Sequence, residues 1–243
     1  MKIGITLPQF RDDAEPALEA AVLAQSAGLD GVFVFDHLWP IGRPDRPALH
    51  GPTLLGAIAA ATSKVAVGTL VARVGLVPDA VLVHQFATVR RIAGPRLIAG
   101  LGIGDHLSRP ENEAYGVPLR PVAERRAQMA SVCRSLRGLG VTVWVGGRAP
   151  ATRAIGRTEA GAVNLWQATP DEVAAEVSRG DAEVTWGGQV DLSPGSGSGS
   201  GSGVTTLLSE LAGAGAAWAV VAPVGVSWPA AIEALGAAAA VGS

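Results

Sequence analysis

The sequence predicts an α/β fold of the (β/α)8 TIM-barrel class, and three observations carry that prediction. Short β-branched runs alternate strictly with helical stretches, eight of each. The 243 residues give about 30 per unit, near the ~250 residues typical of such a barrel. The competing open, doubly wound sheet normally carries a Gly-rich phosphate turn after its first strand. Here that strand ends in Pro8-Gln9-Phe10. No domain boundary is visible, so residues 1–243 read as a single domain.

Strands are expected at Lys2–Leu7, Gly31–Phe35, Val65–Val71, Arg96–Leu101, Val141–Val145, Ala162–Trp166, Glu183–Val190 and Ala217–Ala222. Runs this short and this continuously apolar suit parallel strands covered by helices. Helices are expected at Asp13–Ala27, Thr53–Thr62, Asp79–Ala93, Pro121–Gly138, Pro150–Glu159, Pro170–Arg179, Thr205–Ala212 and Pro229–Ala240. Several begin with Pro near the first turn or follow Ser, Thr or Asp, as helix starts do. In the third, Leu82, Phe86, Val89 and Ala93 share one face, with Arg90 and Arg91 off that stripe. Gly195 to Gly203 reads GSGSGSGSG, a flexible coil with no side chain to bury. It reads as an engineered linker replacing a longer insertion after the seventh strand, or as a natural low-complexity loop. In both cases it tethers rather than catalyses.

Hydrophobic residues make up 48% and charged ones 16%, which excludes a disordered chain. The mean hydropathy of +0.32 agrees. A formal net charge of -2 argues against nucleic acid, whose phosphate backbone demands a basic excess. The longest apolar stretches are interrupted well short of the ~18–20 residues that span a bilayer. The N-terminus lacks a basic segment followed by an apolar one, so no signal peptide is read. The one cysteine, Cys133, makes neither an internal disulfide nor a thiolate metal site, in keeping with a reducing, cytoplasmic setting.

In a barrel the chemistry sits at the C-terminal ends of the strands. Those positions nominate Asp36-His37-Leu38-Trp39, Ala72-Arg73-Val74-Gly75, Gly102-Ile103-Gly104-Asp105-His106 and Gly146-Gly147-Arg148. His37 is of the residue type suited to proton transfer; its bland alternative is a histidine satisfied by Asp36 as a helix-start device. Asp105 suits a general acid or, equally, a helix cap. Gly100-Leu101-Gly102-Ile103-Gly104 fails the dinucleotide template, because Asp105 stands where glycine is required. Gly102 and Gly104 are instead read as letting the backbone approach a flat ligand. Gly146, Gly147 and Arg148, followed by a helix, form a better anion site, to which Thr152 and Arg153 add; alternatively the glycines only turn the chain. The four histidines show no metal-ligand spacing, and Trp144 and Trp166 read as structural.

Ala21 to His37 (AVLAQSAGLDGVFVFDH), Val65 to Val71 (VAVGTLV), His84 to Gly104 and Glu111 to Gly116 (ENEAYG) occur in that order. As a set they resemble the bacterial luciferase-like oxidoreductases, which depend on flavin or deazaflavin. The resemblance implies a (β/α)8 barrel with coenzyme F420, or alternatively FMN, in its mouth. The implied reaction is hydride transfer to or from a small organic substrate; the alternatives are an FMN-dependent monooxygenase and an inert, loop-trimmed scaffold. It further implies that His37, with Asp36 and Asp105, moves the matching proton. Trp39 falls near an active-site tryptophan of the deazaflavin-dependent glucose-6-phosphate dehydrogenases, at a different spacing. Leu70 and Val71 match a strand end that commonly bulges to support the ring, and Gly146-Gly147 match the phosphate turn. Members are commonly homodimers. They also carry a lid after the seventh strand, where this chain has its Gly-Ser run.

Overall fold

Eight parallel strands hydrogen-bond in sequence order and close on themselves: β1 (Lys2–Thr6), β2 (Gly31–Val34), β3 (Ala66–Arg73), β4 (Leu97–Gly102), β5 (Thr142–Gly146), β6 (Ala162–Trp166), β7 (Glu183–Asp191) and β8 (Trp218–Val224). β8 returns to β1 in parallel register, Ile3 opposite Ala219 and Ile5 opposite Val221. The computed structural model describes residues 1–180, 182–193 and 201–241. Around the barrel run α1 (Glu15–Ser26), α2 (Gly51–Ala61), α3 (Asp79–Ala93), α4 (Arg109–Ala114), α5 (Val122–Gly138), α6 (Pro150–Ile155), α7 (Pro170–Val177), α8 (Gly201–Gly213) and α9 (Trp228–Val241). No helix among the described residues is long and apolar enough to cross a membrane.

Each expected strand and helix is found, with ends shifted by a few residues. α1 starts two residues later than expected, because Pro16 takes its first turn and Ala14 caps it. β3 runs on to Arg73 through a shift in register between Thr69 and Ala72, where the Leu70–Val71 peptide is cis. The single helix expected over Pro150–Glu159 divides into α6 and a π turn, Gly156–Ala160. Gly156 lies so close to β6 that a Cβ there would stand 2.8 Å from Val163 Cγ2. α4, preceded by a 3-10 turn at His106–Ser108, is an element that periodicity did not reveal, being too short to show one. Of the Gly-Ser run, residues 195–200 lie outside the described residues and 201–203 open α8.

Two apolar layers hold the barrel. Its interior is filled by Phe33, Trp144 and Trp218, with ring centroids 5.3 to 6.0 Å apart, together with Leu70, Ile98 and Val220. Trp144 is fully buried here, in the structural position expected of it. The outer layer joins strands to helices through residues such as Leu55, Ile58, Leu82, Met129, Leu136 and Leu211. In the third helix the face expected to be buried, Leu82, Phe86, Val89 and Ala93, is the buried one.

Candidate active site

The loops after β1 and β2 are fastened to each other first. Gln9, fully buried, donates from Nε2 to the carbonyls of Phe35 and Leu49, both at 2.8 Å, and accepts the Phe35 N–H at 2.7 Å. Beside it, Asp36 turns its carboxylate inward, where Oδ2 accepts the Arg73 backbone N–H at 2.8 Å. The Asp36 carbonyl accepts from Arg73 Nε at 2.9 Å. Burial raises the Asp36 carboxyl above its ordinary range; the Arg73 N–H and the charges of Arg73, His50 and His37 offset this only in part. Asp36 was expected to share proton chemistry with His37. Its carboxylate is instead spent tying β2 to β3.

His37 takes a different partner. Its Nδ1 lies 3.0 Å from Glu111 Oε2, and the Leu38 N–H donates to Glu111 Oε1 at 2.7 Å, with the Trp39 N–H at 3.3 Å. Arg73 Nη1 reaches the same carboxylate at 3.1 Å and Asn112 Oδ1 at 3.2 Å. Glu111 is buried, which on its own would raise its pKa. The His37 hydrogen bond, the charges of His37 and Arg73 and the Leu38 amide outweigh that and hold it below the usual carboxylate range. An ionised carboxylate facing Nδ1 makes that nitrogen the donor, so neutral His37 carries its proton on Nδ1 and a lone pair on Nε2. No partner holds Nε2 among the described residues, and the ring is one-fifth exposed. Arg73 Nη2 is buried with no hydrogen-bond partner. Trp39 packs against Tyr115 at 5.7 Å, closing the same loop over α4.

Asp105 lies apart from this cluster. Its Oδ1 accepts the Leu107 N–H at 2.9 Å and caps the 3-10 turn ahead of α4, so of its two expected readings the structure has the cap. Its exposed carboxylate belongs to the loop end, and the acidic partner of His37 is Glu111. Gly104 has φ +65, and its carbonyl accepts from the buried Arg125 Nη1 at 2.7 Å. Gly102 and Gly146 owe their lack of a side chain first to Val71. A Cβ would stand 2.4 Å from its Cγ2 at Gly102 and 2.9 Å from its Cγ1 at Gly146. Leu70 points down into the barrel interior, while Val71 covers the backbone of β4 and β5 at the top.

At the end of β5, Gly147 has φ +154 and a Cβ there would meet Thr152 at 2.8 Å. Arg148 is exposed and has no partner among the described residues. Thr152 is buried, and Arg126 Nε donates to it at 3.3 Å. Arg153, expected to assist at this turn, pairs instead with the buried Glu176 at 3.0 Å. Glu111, Arg73, Asn112 and Gln9 had no role assigned from sequence. The one available signal for Glu111-Asn112 was their place in the quoted ENEAYG stretch, just behind Pro110 at a helix start.

A family model described as luciferase-like monooxygenase matches residues 1–142. The F420-dependent glucose-6-phosphate dehydrogenase of Kineococcus radiotolerans is 35% identical over 120 residues, covering 49% of this chain and 35% of that protein. The corresponding enzyme of Beutenbergia cavernae is 35% identical over 133 residues, covering 54% and 37%. The matched stretch thus spans little more than a third of the length of these relatives. Among solved structures, an F420-dependent secondary alcohol dehydrogenase in complex with an F420-acetone adduct superposes with a TM-score of 0.76 at 15% identity, covering 98% and 97% of the two chains. The monooxygenase RslO1 from Streptomyces bottropensis gives 0.77 at 15%, covering 100% and 99%. At such identity the likeness is one of fold.

Proposed function

The chain belongs to the luciferase-like monooxygenase family, and from that membership we propose that it is an oxidoreductase moving hydride between coenzyme F420 and a small organic substrate. The observation carrying this reading is His37 held by Glu111 at the barrel mouth. A deazaflavin, when bound, supplies or accepts hydride, so the protein has only the matching proton to manage. His37 fits that task. With Nδ1 donating to Glu111, Nε2 accepts the proton of a substrate hydroxyl during oxidation and returns it during reduction. Glu111 stabilises the imidazolium formed in between and keeps the ring in one orientation. Trp39 and Tyr115 pack on each other beside that pair.

The residues present fit the group at two points. Val71 offers an apolar shelf over Gly102 and Gly146, of a kind on which a flat ring rests. Beside it, Gly147 and the exposed Arg148 offer backbone N–H groups and a cation without a competing carboxylate, as a phosphate requires. Arg126, reaching the same turn through Thr152, adds a second positive charge.

Titration of the purified chain with F420 and, separately, with FMN, followed by absorbance, tests the reading. F420 is expected to bind, and His37→Ala is expected to retain that binding while slowing hydride transfer by about 10²-fold or more. Binding of FMN alone would move the assignment to a flavin monooxygenase. Binding of neither would overturn both and leave an inert barrel.

A further inference from the structure

We propose that the mouth beside His37 takes a neutral, largely apolar substrate, with an aromatic or alicyclic body and a hydroxyl or carbonyl group, and does not take a sugar phosphate. The inference rests on the proton-transfer reading of His37 and narrows it to a substrate class.

The first observation is the state of the cations around the mouth. A phosphoryl substrate needs at least one Lys or Arg free to meet it. Both lysines are at the other end of the barrel: Lys2 opens β1 with its Nζ over the Trp218 ring, and Lys64 precedes β3. Each arginine in the loops around His37 already has a partner, weakly where the pair is exposed. Arg11 pairs with Asp13, Arg43 with Asp45 through two contacts, and Arg109 with Glu113. Arg73 is held by Glu111 and Asn112, while Arg125 donates to the carbonyls of Arg120, Ile103 and Gly104. Arg46 reaches the Phe10 carbonyl. The described loops after β6 and β8 (Gln167 to Thr169, Gly225 to Ser227) contain no Lys or Arg. That leaves Arg126 and Arg148, both assigned above to the cofactor's phosphate. A second phosphate would meet carboxylates already neutralising their arginines.

The second observation is what the mouth presents instead. Phe10 and Phe35 stack at 6.0 Å, and Phe35 meets Trp166 edge-on at 6.1 Å, all three half-buried at strand ends. Beyond them the loops flanking His37 expose the Trp39–Tyr115 pair, Ile41 at 54% and Leu107 at 49%. Aromatic side chains with an apolar rim and one polar group, His37, suit a flat or cyclic neutral molecule.

Ligand-observed saturation-transfer NMR on the F420-loaded protein tests the proposal, with benzyl alcohol, cyclohexanol and glucose 6-phosphate as probes. Benzyl alcohol and cyclohexanol are expected to bind competitively with each other, and glucose 6-phosphate to give no transfer. The double variant Ile41→Ser, Leu107→Ser is expected to weaken benzyl alcohol by about fivefold or more. Both side chains are already half-exposed, so the variant should fold, which near-UV circular dichroism checks. Tighter binding of glucose 6-phosphate, binding of no probe, or an unchanged double variant would each overturn the proposal. If F420 fails to load, the same titrations run on the free protein. Benzyl alcohol binding there would remove the cofactor assignment and leave the substrate class standing.

Discussion

Glu111 and Asp36 are neighbouring buried carboxyls pushed in opposite directions, and the difference is in their partners. Glu111 faces His37, Arg73 and two backbone N–H groups, and is held below the usual range. Its ionised form therefore contributes stability that is present in full above the ordinary carboxylate range and lost as pH falls through the depressed value. Glu111→Gln is expected to cost about 3 kcal/mol near neutral pH, because it strands the buried Arg73 guanidinium, and the difference should shrink towards zero in acid. Urea denaturation at several pH values measures this; a pH-independent cost would refute it. For Asp36, raised by burial, the sign reverses. Its folded form holds a proton more tightly than the unfolded chain does, so wild type loses stability relative to Asp36→Asn as pH rises through the carboxylate range. Asp36→Ala, which orphans the Arg73 N–H, should cost about 1–3 kcal/mol in acid and less as pH rises through the carboxylate range. The sequence announced Asp36-His37 as a pair but not their divorce. Which way a carboxylate turns depends on Arg73 and Glu111, 37 and 75 residues along the chain from it.

The strand ends explain the glycines better than a cofactor alone does. At Gly100 a Cβ would stand 2.1 Å from the Thr69 carbonyl oxygen, and at Gly102 it would stand 2.4 Å from Val71 Cγ2. Both clashes come from β3, whose shifted register between Thr69 and Ala72 brings it against β4. Gly100→Ala is expected to cost about 3 kcal/mol or more, since the obstacle is backbone, and no side-chain change should rescue it. Gly102→Ala meets only a side chain, so Val71→Ala should recover most of its cost. A double-mutant cycle read by thermal denaturation separates the two cases. The alternation of strands and helices was legible from residue type, because a buried strand of four to eight residues needs an unbroken apolar run. α4 was not: its six residues are too few for a period, and its purpose is to bring Glu111 and Asn112 back over the mouth.

Closure of the barrel presses the helices onto its outer face, and Cys133 reports on that packing. It is fully buried in α5 against the outer core, and burial pushes its thiol up to about 12, with Glu159 adding to the effect. A thiol reagent is expected to leave the native protein unmodified and to react only at the rate of global unfolding. Modification on mixing would mean that α5 opens locally.

By itself the sequence determined the architecture: the apolar period of each segment, the Pro and Gly punctuation, and a length near the minimum for eight units. It also determined that His37, Gly147 and Arg148 would lie at strand ends, since the barrel puts every βα loop on one face. Only the tertiary structure decided which carboxylate serves His37, that Asp105 is a cap, that Arg153 is lost to Glu176, and that the arginines near His37 are already paired. The physical reason is common to all four. Apolar periodicity is a local property, read within one turn or one strand, whereas an ion pair is chosen by whatever charge lies within about 4 Å once the chain has closed.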